Sequence, residues 1–95
     1  MEIKNQSAYG TVAVNITTKL QGSEKQIQWA EKIRYRVVAD IVSRMTESPV
    51  AMRAATPEVI ARFEQAINAV PAADFWIKSH LTLRFDLLNK LLAAI

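Results

Sequence analysis

The stretch Leu20–Met45, LQGSEKQIQWAEKIRYRVVADIVSRM, holds the clearest helix start in the chain, its longest helical pattern and one misplaced arginine. Ser23 and Gln26 form a Ser-x-x-Gln pattern. The Ser23 hydroxyl can accept from the backbone NH of Gln26, while the Gln26 amide reaches back to the NH of Ser23. Gly22 marks the turn into the helix. From Glu24 onward, apolar residues recur at Ile27, Ala30, Ile33, Val37, Ile41 and Met45, and Val38 and Val42 widen the stripe. This is the three-and-four spacing of a helix that faces a core. At about 100° per residue, Trp29 falls at one edge of the stripe, Tyr35 near the other, and Arg34 inside it.

A charge on an apolar face has two readings. Arg34 can be structural, its stem packed on the core and its guanidinium paired with Glu31 or with an acidic residue of a later helix. Alternatively it lines a groove and binds a carboxylate or phosphate of a partner, which its planar fork suits better than lysine would.

Working outward, Tyr9 to Leu20 (YGTVAVNITTKL) alternates Val12, Val14 and Ile16 against Thr11, Ala13, Asn15 and Thr17, the period of a strand. Residues 1 to 8 are polar apart from Ile3. A lone strand leaves backbone groups without partners. Residues 1 to 6 folding back as a hairpin arm would satisfy them, as would pairing with a second subunit, addition to a partner's sheet edge, or an extended arm along the helices. The hairpin and the dimer are favoured.

Downstream, Pro49 stops the first helix and can start a short turn through Met52. Thr56 and Pro57 make a second clean helix start, with Glu58 in the first turn. Val59, Ile60, Phe63, Ala66, Ile67 and Val70 form its stripe, and Pro71 separates it from the next segment. Residues from Ala72 onward carry Phe75, Trp76, Ile77, Leu81, Leu83, Phe85, Leu87, Leu88, Leu91, Leu92 and Ile95, too many apolar positions for one narrow stripe. The surplus leucines suggest oligomerisation, a break near His80 is plausible, and Trp29 and Trp76 are expected in or near one core. The predicted fold is mainly α: a three- to four-helix bundle over residues 23–95, preceded by a β-strand or hairpin arm over residues 1–20, in one domain.

Composition narrows the function classes. There is no cysteine, so no disulfide framework or thiolate metal site, and no apolar run reaches the length of about eighteen residues that a membrane span needs. A cytoplasmic protein is expected. The net charge of +3 is spread: residues 1 to 48 hold seven basic and five acidic groups, and residues 49 to 95 hold five and four. His80 is the only histidine, no metal-ligand spacing occurs, and two glycines are too few for a phosphate loop or nucleophile elbow. No catalytic, cofactor or metal residues are assigned, and enzyme activity is not expected.

The run Leu20, Gly22, Ser23, Lys25, Gln26, Trp29, Ala30, Ile33, Arg34 resembles a motif, roughly LxGSxKQxxWAxxIR, of small and mostly uncharacterised proteins of bacteriophages, plasmids and other bacterial mobile elements. Ala73, Phe75, Trp76, Ile77 and His80 look like a later AxxWIxxR segment of those proteins, with His80 where arginine is usual. The resemblance covers about half the chain and implies a genomic setting and a shared helical core.

These readings lead to an accessory protein of a phage or mobile element that binds a host or phage protein complex. Its most concrete form is an anti-CRISPR inhibitor of a CRISPR ribonucleoprotein. Lys25, Trp29, Lys32, Arg34, Arg36 and His80 are the candidate partner-binding residues. A nucleic-acid-binding module is the alternative, with Lys25, Lys32 and Arg36 on phosphates and Trp29 or Tyr35 stacking on bases. The same cations also fit an ordinary solvated helix face. A structural homodimer or virion-associated part is the third reading.

Overall fold

The computed structural model describes residues 1–79. Two strands, β1 (Glu2–Ser7) and β2 (Gly10–Asn15), are followed by four helices: α1 (Glu24–Met45), α2 (Pro49–Ala54), α3 (Pro57–Asn68) and α4 (Ala73–Ser79). The described chain is thus mainly helical with an N-terminal antiparallel hairpin.

The helix starts follow local chemistry. Ser23 Oγ accepts from the NH of Gln26 at 3.2 Å, and Gln26 Oε1 accepts from the NH of Ser23 at 3.0 Å, completing the expected capping box. Ser48 caps α2 by accepting from the NH of Ala51 at 3.1 Å, and Thr56 caps α3 by accepting from the NH of Val59 at 3.2 Å. Pro49 and Pro57 each stand at the first helical position, where no NH is needed. The expected turn after Pro49 is a short helix reaching Ala54.

The arm is the hairpin. β1 runs in register with β2, Ser7 opposite Gly10 and Glu2 opposite Asn15. The strand is shorter than its alternating pattern, ending at Asn15 instead of continuing to Leu20. Asn68 of α3 explains the early end. Its Oδ1 accepts from the NH of Thr17 at 2.9 Å and of Thr18 at 3.2 Å, and its Nδ2 donates to the carbonyl of Asn15 at 2.9 Å. One side chain takes the place of a third strand.

The inward face of the hairpin, Ile3, Val12, Val14 and Ile16, joins Ala30, Ile33, Val38, Ile41 and Val42 of α1, Phe63, Ala66 and Ile67 of α3, and Ala73 and Trp76 of α4 in one core. At the hairpin tip, Asn5 Nδ2 donates to Thr46 Oγ1, and Ser7 Oγ donates to the Thr46 carbonyl at 2.6 Å. Near the start of α1 the chain is latched to the start of α4. The NH of Gln21 donates to the Pro71 carbonyl at 2.7 Å, and the NH of Ala73 donates to the Gln21 carbonyl at 3.0 Å. Gly22 beside this latch has φ +155°, and a Cβ there would stand 3.0 Å from Gln26 Oε1 and 3.3 Å from Ala73 Cβ. Close approach of two backbones requires glycine at this turn.

Two packing expectations change. Trp76 is fully buried, edge-on to Phe75 with ring centroids 5.5 Å apart, but Trp29 is 51% exposed and lies at the surface. Trp29 sat at the edge of the apolar stripe, and the core closes on Ala30 and Ile33 instead. Val59, placed in the α3 stripe by spacing, is exposed in the first turn, whereas Phe63, Ala66 and Ile67 carry the burial. His80 and the leucine-rich segment after it lie outside the described residues.

Candidate functional site

Helix α1 positions nearly all the candidate residues. Its 22 residues bury Ala30, Ile33, Arg34, Val38, Ile41 and Val42, leaving the opposite side to solvent. On that side Lys25, Trp29, Lys32 and Arg36 follow one another at spacings of four, three and four, all exposed, along about 16 Å of helix. Tyr35, 53% exposed, stands beside Arg36.

Beside this stripe lies an open groove of about 960 Å³, lined by Gln28, Glu31, Lys32, Arg34, Tyr35, Arg36 and Ala39 of α1, and by Met1. Three cationic side chains, Lys32, Arg34 and Arg36, face one carboxylate, Glu31, in this lining, a formal excess of two positive charges. Such a surface attracts anionic groups, and the Tyr35 ring offers a flat face to a planar one.

Arg34 is buried, with 6% of its surface exposed, yet it reaches the groove. Its Nη1 donates to the carbonyl of Thr18 at 2.8 Å. Burial lowers its pKa from the usual arginine value, and the charge of Glu31 partly restores it. Among the described residues no ion pair involves Arg34, and its hydrogen bond goes to the backbone of the segment between the hairpin and α1. The physical reason is geometry: Thr18, pinned by Asn68, brings its carbonyl to the rim of the core where Arg34 emerges. Among the described residues, Arg34 Nε has no hydrogen-bond partner.

The structure therefore gathers Lys32, Arg34 and Arg36 on one groove. Lys25 and Trp29 share the exposed side of α1 but do not line it. His80 lies outside the described residues. Gln28 and Met1 were not singled out from sequence, and Glu31 only as an ion-pair partner of Arg34. The spacing of Gln28, Glu31 and Tyr35 along the helix is a signal that could have found the first two, whereas Met1 arrives through the hairpin. Among the described residues, no group of three or more His, Asp or Glu side chains could hold a metal ion, and no helix is long and apolar enough to cross a membrane.

Comparisons of the chain with protein-family models, with curated proteins and with solved structures found no match.

Proposed function

We propose that this chain is a non-catalytic binding protein that uses the exposed side of α1 to engage an anionic surface of a protein complex inside a bacterial cell. The observation that carries the reading is the division of α1: one side is fixed in the core, and the other presents Lys25, Trp29, Lys32, Tyr35 and Arg36 over consecutive turns. Its concrete form is an accessory factor of a phage or mobile element that inhibits a host defence complex, as an anti-CRISPR protein does. The helices would then act as a bundle that holds this face rigid.

The test is a pull-down of the tagged protein from a bacterial lysate expressing a CRISPR effector complex, with and without nuclease. Nuclease-resistant recovery of effector subunits, lost in the Lys32→Glu/Arg36→Glu variant while its circular dichroism is unchanged, supports the reading. Absence of effector subunits, or recovery unaffected by the double reversal, overturns it.

A second reading rests on Tyr35 lining the groove together with Lys32 and Arg36. Cations flanking an aromatic ring suit a single-stranded nucleic acid, with phosphates on the cations and a base on the ring. That reading requires affinity for free nucleic acid that falls steeply with salt.

A further inference from the structure

The two edges of the hairpin differ in charge, and in the fastening of Asn15 on β2 by α3. The backbone of Met1 exchanges both hydrogen bonds with Ile16: the NH of Ile16 donates to the Met1 carbonyl at 2.7 Å, and Met1 N donates to the Ile16 carbonyl at 2.9 Å. Hydrogen bonding alternates along an antiparallel pair. Ile3, Asn5 and Ser7 therefore turn their backbone groups toward β2, and Glu2, Lys4 and Gln6 turn theirs away. On the outer side of β2, the NH of Asn15 donates to Glu64 Oε2 at 3.0 Å and its carbonyl accepts from Asn68; among the described residues no hydrogen bond reaches the outward groups of Thr11 or Ala13, which carry no charge to set a register. Among the described residues, no hydrogen bond reaches the outward backbone groups of Glu2, Lys4 or Gln6. Their side chains are all exposed, whereas Ile3 between them is buried.

We propose that β1 pairs antiparallel with β1 of a second copy of this chain, across a twofold axis at Ile3, extending the hairpin to a four-stranded sheet. Charge selects both the occupant and the register. An axis at Lys4 would set each Lys4 against its own copy, and like charges directly opposite are unfavourable. An axis at Asn5 would set Lys4 against the uncharged Gln6. An axis at Ile3 sets Glu2 opposite Lys4 of the second copy, and Lys4 opposite Glu2 of the second copy. It is the one register of the three with two opposite-charge pairs. These residues form the hydrogen-bonded pairs of the new ladder, with Cα atoms about 5.5 Å apart, within reach of an ion pair. Ile3 keeps its place in its own core. The edge is short, and the dimer is correspondingly weak, to be read at protein concentrations up to about 1 mM.

Sedimentation equilibrium of the full chain tests this. Lys4→Glu and Glu2→Lys should each raise the dimer dissociation constant at least about tenfold. An equimolar mixture of the two single variants should form a heterodimer, and Glu2→Lys/Lys4→Glu should restore the homodimer to within about threefold. Circular dichroism verifies that each variant stays folded, as substitutions at exposed positions should allow. A chain that stays monomeric throughout the range overturns the proposal and leaves the edge to a foreign strand. A dimer indifferent to single reversals, or one that neither the mixture nor the double reversal restores, also overturns it. A Lys4→Cys variant that oxidises readily to a disulfide dimer would place the axis at Lys4 instead.

Discussion

Replacing Arg34 with alanine and with methionine separates the two parts of this side chain. Arg34→Ala removes the bond from Nη1 to the Thr18 carbonyl and the packing of the stem. A hydrogen bond from a charged donor contributes about 1.5–3 kcal/mol, and the two buried methylenes lost beyond Cβ contribute about 1.6 kcal/mol. Against these stands the relief of a guanidinium whose charge is disfavoured by burial and whose Nε lacks a partner among the described residues. The groove is open, so water can reach the abandoned Thr18 carbonyl. The balance is a loss of about 1–3 kcal/mol. Arg34→Met keeps the stem, so the lost bond and the relieved burial nearly cancel, within about 1 kcal/mol. The assay is urea unfolding followed by far-ultraviolet circular dichroism. With a denaturant slope of about 1 kcal/mol per molar, alanine should lower the midpoint by about 1–3 M and methionine by at most about 1 M. An alanine variant unfolding at the parental midpoint would refute the structural role of Arg34. A methionine variant as weak as alanine would show that the guanidinium, and not the stem, carries the stability.

Three further outcomes are expected. Asn68→Ala should cost about 2–3 kcal/mol, because Asn68 holds the backbone of Asn15, Thr17 and Thr18 together; amide hydrogen exchange should rise first at Thr17 and Thr18. Gly22→Ala should lower the thermal midpoint by several degrees, about 1–2 kcal/mol, because the new methyl meets both the capping amide of Gln26 and the start of α4. Trp76→Ala should cost about 3–5 kcal/mol in denaturant unfolding by emptying a fully buried site, whereas Trp29→Ala at the surface should cost under about 1 kcal/mol.

What could be read from the sequence was mostly what is encoded locally. Ser23 with Gln26, and Thr56 with Pro57, announce their helices because donor and acceptor lie three residues apart. The outer cations of α1 were legible for the same reason, since helical spacing alone puts Lys25, Lys32 and Arg36 opposite the core. β1 was only one of several ways to partner β2, because its inward positions Asn5 and Ser7 are polar and dock through hydrogen bonds to Thr46, leaving Ile3 as its lone apolar mark. The partner of Arg34 was hidden for a different reason. It is a backbone carbonyl, which every residue carries, brought into place by a side chain fifty residues away. Trp29 was misplaced because an edge position on a helix is decided by what packs beside it, not by its own spacing.

The distant anchoring of the hairpin bears on the order in which the chain acquires its shape. Residues 2–15 leave the ribosome before the residues that fasten them, but a two-stranded hairpin alone is marginal in water. Its polar fastenings come from Thr46, Glu64 and Asn68, 39 to 53 residues downstream. Each is a long loop to close, and non-local pairing is reached late in folding. The hairpin is therefore synthesised before its anchors and can be clamped only once α3 has been made.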